Sequence, residues 1–134
     1  MLELRVGVLW KDHLGELRTL GRQWECRRLD WAATGEAAAQ LIAPYLSSIG
    51  TVEVLLGAQT PSELERAAAD VDLRPMDGGR LVPRPFASPA TARLARRREG
   101  VSVAPWPTVF ADLRLTGVRG GQAAEHLREL CDEP

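Results

Sequence analysis

The densest cluster of chemically capable side chains in this sequence is arginine. The segment Arg80 to Gly100 holds Arg80, Arg84, Arg93, Arg96, Arg97 and Arg98 against the single acid Glu99. That is a local charge of +5 in a chain whose total is −1 at pH 7, so the remainder carries −6. Guanidinium forks grip carboxylates and phosphates through paired N–H donors. The segment therefore suits an acidic protein surface, a phosphate backbone, or simply solvent along a helix face, with Arg84, Arg93, Arg96, Arg97 and Arg98 as the candidate partner-binding residues. Trp106, set between Pro105 and Pro107, joins them. It is one of four tryptophans against two Phe and one Tyr, and Trp serves both cores and interface hot spots.

The remaining reactive residue types are scattered. His13 and His126 each have a Glu three residues on, with no His-Glu-x-x-His spacing, and read as exposed helix histidines. Cys26 and Cys131 lie far apart, which excludes a Cys-pair zinc site or a Cys-x-x-Cys redox pair and leaves two reduced, buried or half-buried thiols. Carboxylate pairs such as Glu63 with Glu65 and Asp70 with Asp72 imply no acid–base work without a pocket. A two-metal nuclease would want clustered acids with a lysine, and the only lysine is Lys11. Asp77-Gly78-Gly79 and Gly117 to Gly121 have the backbone freedom of anion-binding loops, yet the second lacks a Gly-x-x-x-x-Gly-Lys pattern. A turn between two helices accounts for it more simply, with Asp112 and Arg119 pairing across the corner. No catalytic residue, metal site or cofactor is expected, and the reading is of a non-enzyme.

Elements must position these residues. At 134 residues and 45% apolar content the chain suits one domain spanning 1–134, able to bury a core unaided. A charged fraction of 26% keeps it outside disordered compositions and gives no overall nucleic-acid footprint. There is no apolar run of membrane-spanning length and no signal peptide, so no membrane partner is expected and a bacterial, cytoplasmic protein is the default.

Leu2 to Trp10 alternates as a half-buried strand. Leu14, Leu17, Leu20 and Trp24 recur at helical spacing over Lys11 to Trp24, a helix that Gly15 and Gly21 weaken. Cys26 to Trp31 reads as a short strand. Thr34 is placed to cap a helix over Ala37 to Ile42 that Pro44 ends. Thr51 to Leu56 is a strand. Thr60 and Glu63 match a capping box around Pro61, opening a helix with Leu64, Ala67, Ala68 and Val71 on its apolar stripe. Leu73 to Met76 and Arg80 to Val82 around Asp77-Gly78-Gly79 suggest a small hairpin. Ser88-Pro89 opens a helix to about Arg97, Val101 to Ala104 is a strand, and Pro105 to Pro107 start a helix carrying Val109, Phe110 and Leu113. A last helix begins near Gln122 with Ala123, Ala124, Leu127 and Leu130 to one side. The expected class is α/β or α+β: a mixed sheet with a small hairpin and helices packed on it.

The stretch Val103 to Leu130 has the look of a signature, and its pieces are Ala104-Pro105, Phe110-Ala111-Asp112-Leu113, Arg119-Gly120, and Ala123-Ala124-Glu125 with Leu127. Upstream stand Thr34-Gly35 with Ala37 to Ala39, then Pro44-Tyr45-Leu46, and Leu73-Arg74-Pro75. In order and spacing these resemble the C-terminal domain of the AbiEi-type antitoxins, transcriptional regulators of type IV toxin–antitoxin and abortive-infection systems, over about residues 31–130. That family shows Ala/Ser-Pro, Tyr-Leu-Asp-Leu, Gly-Arg-Gly and Ala-Ala-Glu-x-Leu. Trp106-Pro107-Thr108 and Phe110 depart from it, Phe110 losing a tyrosine hydroxyl. The resemblance implies an antitoxin or regulator domain that counteracts a nucleotidyltransferase-like toxin or mediates regulator assembly, with self-association possible. Thr34, Gly35, Pro105, Phe110, Asp112, Leu113, Arg119, Gly120, Ala124 and Glu125 would be its structural motif residues. The family's DNA-binding winged helix normally precedes this domain, and residues 1–30 are too short to supply it, so DNA binding is expected only weakly or through such a domain. The alternative is a nucleic-acid-binding module using the Arg80–Arg98 segment.

Overall fold

A computed structural model describes residues 6–7, 13–42, 51–76, 79–115, 121–122, 124–125 and 127–129. In chain order its elements are β1 (Val6–Gly7), α1 (His13–Cys26), β2 (Trp31–Thr34), α2 (Gly35–Ile42), β3 (Val52–Leu56), α3 (Pro61–Ala69), β4 (Arg74–Pro75), β5 (Leu81–Pro85), α4 (Pro89–Leu94), β6 (Arg96–Arg98), β7 (Val101–Val103) and α5 (Trp106–Arg114). Helical backbone returns at 121–122, 124–125 and 127–129. Only Val6–Gly7 of the expected first strand, and neither Ala123 nor Leu130 of the last helix, fall within the described residues.

One sheet runs β4-β1-β5-β3-β2-β7-β6. It is mixed: β3–β5 and β2–β7 are parallel, whereas β1–β4, β1–β5, β2–β3 and β6–β7 are antiparallel. The centre is apolar on both faces, as expected of strands covered by helices on either side; Trp31, Ala32 and Ala33 of β2 and Val54, Leu55 and Leu56 of β3 are all buried.

Helix α1 lies where its periodicity predicts, with Leu17, Leu20 and Trp24 at 6% exposure or less. The Trp24 indole donates to the carbonyl of Ala67 at 3.1 Å, tying α1 to α3, while the Trp31 ring packs 6.1 Å from the Trp24 ring. Gly21 permits that approach, because a Cβ there would overlap the Trp31 ring. The residue that lowers helix propensity is thus the one that lets α1 sit down on β2. Helix α3 is opened by Thr60, whose hydroxyl accepts from Glu63 N–H at 3.1 Å, with Pro61 at the first helical position. The returning arm of the box goes one residue back: Glu63 accepts from Gln59 N–H at 2.7 Å.

Four local expectations are corrected. Residues expected as a strand from Cys26 form the last turn of α1 and a turn at Arg27 and Arg28, with Arg28 at φ 57°; Cys26 is exposed there rather than buried. Residues 73–76 and 80–82 do not pair with each other, because β1 lies between β4 and β5. The sheet's small hairpin is instead β6–β7. Helix α4 stops at Leu94, and the arginines beyond it are extended. Thr34, expected as a helix cap, ends β2 and donates its hydroxyl to a carboxylate of α5.

Candidate functional site

Thr34 is fully buried, and its Oγ1 donates to Asp112 Oδ2 at 2.6 Å. The same carboxylate oxygen lies 3.3 Å from Arg84 Nη2, which is also 3.4 Å from Glu53 Oε2. Strand register brings these groups together: Glu53 stands opposite Thr34 across β2–β3, and Arg84 opposite Leu55 across β3–β5. Asp112 comes down from α5. The chain turns sharply into α2 at Gly35, whose φ of 63° is reached readily only without a Cβ, and a Cβ would overlap the Glu53 carboxylate. Glu53 and Asp112 expose only 16% of their side chains and Arg84 29%. One guanidinium between two carboxylates, with a hydroxyl closing the chain, is a fastening of α5 to the sheet.

Arg84, counted with the partner-binding arginines, is ion-paired within the fold. Asp112 pairs with Arg84 and Thr34; Arg119 and Gly120 lie outside the described residues. Of the other motif residues, Leu113 and Ala124 are fully buried, Pro105 leads into α5, and Glu125 is exposed and holds Arg128 at 2.8 Å. Phe110 is edge-on to Trp106 with ring centroids 6.4 Å apart, and Arg114 lies over its face at 5.7 Å.

The arginine run is divided by the strand it forms. Successive side chains of a strand leave on opposite sides, and Arg97 reaches Glu25 at the end of α1. Glu25 also accepts from the Trp31 indole at 3.1 Å. These contacts, the indole first and Arg97 after it, hold the Glu25 carboxyl below its ordinary value despite the opposing effect of burial. Arg96 and Arg98 instead line a groove of about 270 Å³ with Ile42, Leu94, Val103, Ala104, Pro105 and Trp106. Among the described residues Arg96 bonds the carbonyls of Leu94 and Ala95. Among the described residues neither Arg96 nor Arg98 meets a carboxylate. Arg93 is exposed on α4 but does not line the groove. The half-buried Trp106 packs on the core with one part and lines the groove with another. Sequence reasoning missed Glu53 and Glu25, the acids that claim Arg84 and Arg97; strand register brings Glu53 to Arg84, and the packing of α1 beside the sheet brings Glu25 to Arg97.

The described part of His13 is its backbone, and His126 and Cys131 lie outside the described residues. Among those residues no group of three His, Cys, Asp or Glu side chains is placed to hold a metal ion, and no helix is long and apolar enough to cross a membrane. No protein-family model matches the chain, and no curated protein does.

Proposed function

We propose that the protein is a non-enzymatic antitoxin or regulator domain that works by protein–protein contact, receiving an acidic surface of a nucleotidyltransferase-like toxin at the groove of Arg96, Arg98 and Trp106. The observation that carries the reading is that these three residues line one groove while the two arginines meet no acid among the described residues. A guanidinium pair beside an indole is the composition of an interface hot spot. Supporting the family half of the reading, Thr34-Gly35 and Asp112, separate pieces of the resemblance, meet through a hydrogen bond. The nucleic-acid alternative is weakened because Arg84 and Arg97 are neutralised by Glu53, Asp112 and Glu25, leaving fewer free cations than the sequence offers.

The test is co-purification with a nucleotidyltransferase-like toxin, or rescue of cells from such a toxin. Arg96→Glu with Arg98→Glu should weaken capture by about a hundredfold or more, since reversing a charge at a hot spot costs about 2–4 kcal/mol. Trp106→Ala should weaken it by about tenfold or more. Capture unchanged by the double reversal overturns the assignment of the surface, and absence of capture by the wild type overturns the antitoxin reading.

A further inference from the structure

The groove borders on a sheet edge, and the edge has its own geometry. Strand β6 is last in the sheet order. Glu99 and Gly100 join it to β7 with φ of 51° and 80°, the two left-handed positions of a type I′ hairpin turn. Arg98 and Val101 close that two-residue turn and form its hydrogen-bonded pair, so the next pair, Arg97 with Ser102, is the non-bonded one. Arg97 therefore directs its N–H and C=O away from β7, off the edge. Three of the four corresponding groups two residues to either side are engaged: Ala95 N–H donates to Ala92, Ala95 C=O accepts from Arg96, and Glu99 C=O accepts from Arg18 Nε. Arg97 offers the one open donor and acceptor on this strand among the described residues. Its own side chain is held back by Glu25.

We propose that β6 receives an extended segment of a partner protein by strand addition, the segment carrying two acidic residues separated by one. The middle residue exchanges backbone hydrogen bonds with Arg97, and the flanking acids, both on the side of the strand that Arg96 and Arg98 occupy, meet those two guanidinium groups. The inference rests on the reading of the groove as a protein-docking surface and names what docks. Strand addition takes its affinity from main-chain bonds and its specificity from alternate side chains. A second copy of this chain is disfavoured, because two β6 edges paired about Arg97 would set Arg96 against Arg98 of the other copy, like charges side by side. A nucleic-acid phosphate is disfavoured because it is an acceptor only and leaves the Arg97 carbonyl unanswered.

The probe is a synthetic peptide, acetyl-Thr-Val-Glu-Val-Glu-Val-Thr-amide, titrated into the full chain by heteronuclear NMR, beside the same peptide N-methylated at its central Val. The expected result is saturable binding that perturbs residues 96–98, slows exchange of the Arg97 amide hydrogen by about tenfold at saturation, and weakens about fivefold or more on N-methylation, the cost of one lost backbone hydrogen bond. Arg96→Glu with Arg98→Glu should abolish binding. If binding depends on the arginines but N-methylation and Arg97 exchange are unaffected, strand addition is wrong and the docking surface stands. If the peptide does not bind, strand addition is likewise overturned, while toxin capture still decides the docking reading. Binding of a single-stranded oligonucleotide at the same arginines with the peptide excluded would overturn both.

Discussion

Whether the buried hydroxyl of Thr34 holds α5 to the sheet is decided by a double-mutant cycle between Thr34 and Asp112. Thr34→Val keeps shape and removes the donor; Asp112→Ala removes the acceptor. Thr34 is fully buried and its bond to Asp112 is 2.6 Å long, whereas Asp112 keeps 16% of its side chain exposed. A hydrogen bond to a charged group contributes about 1.5–3 kcal/mol, and water at the exposed edge of the carboxylate argues for the lower half of that range. Asp112→Ala also takes a carboxylate from Arg84, a loss held to about 1 kcal/mol because Glu53 remains at 3.4 Å to hold the guanidinium. The expected costs are therefore about 1.5–2 kcal/mol for Thr34→Val and about 2–3 kcal/mol for Asp112→Ala, with a coupling of about 1–2 kcal/mol. Urea unfolding followed by tryptophan fluorescence reads these as midpoint shifts at constant slope. In heating experiments each kcal/mol should appear as roughly 3–6 °C for a chain of this size. Losses that add to within about 0.3–0.5 kcal/mol would refute the fastening, showing that the two groups act independently.

Two further predictions come from α1. Gly21→Ala raises helix propensity by about 1 kcal/mol but drives a methyl into the Trp31 ring; overpacking of about 1–3 kcal/mol or more should win, so unfolding titrations should show net destabilisation, and a stabilised variant would contradict the packing. Glu25 has its carboxyl held down by the Trp31 indole and then by Arg97. Its folded-state value is the lower one, so its contribution is complete above the ordinary Glu range near about 4.3 and is lost as pH falls through the folded value. Trp31→Phe should move the NMR-detected titration of Glu25 upward, and an unmoved titration would show the indole bond to be without effect.

The regular elements were legible where one physical signal spoke alone. Leu14, Leu17, Leu20 and Trp24 fixed α1, and Thr60, Pro61 and Glu63 fixed the start of α3. Reading failed where local and tertiary signals competed. Ser88-Pro89 predicts a helix correctly, but nothing local says that it ends at Leu94, because arginine is a good helix former; what makes Arg96 to Arg98 a strand is pairing with Val101 to Val103 through a turn of two left-handed residues. Asp77-Gly78-Gly79 carries strong turn chemistry, yet the flanking strands are separated by β1, from the far end of the sequence. Thr34 has the residue type of a helix cap, and a carboxylate 78 positions away claims its hydroxyl.

The same long-range pairing changes what the arginine cluster means. Counted along the chain, six cations and one acid form a uniform basic segment. In the fold, Glu53 and Asp112 neutralise Arg84, and Glu25 neutralises Arg97. Charge bound to an internal acid has given up most of its field and cannot serve a partner without breaking a contact that stabilises the fold. What is left for recognition at the groove is Arg96 and Arg98 beside Trp106, two point attractions with strand spacing in place of a broad potential. A broad potential attracts any polyanion and fades with salt. Two guanidinium groups at a fixed separation, next to an apolar wall and one open backbone pair, discriminate by geometry. That difference is the physical ground for favouring a shaped acidic protein segment over a nucleic-acid backbone as the occupant of this site.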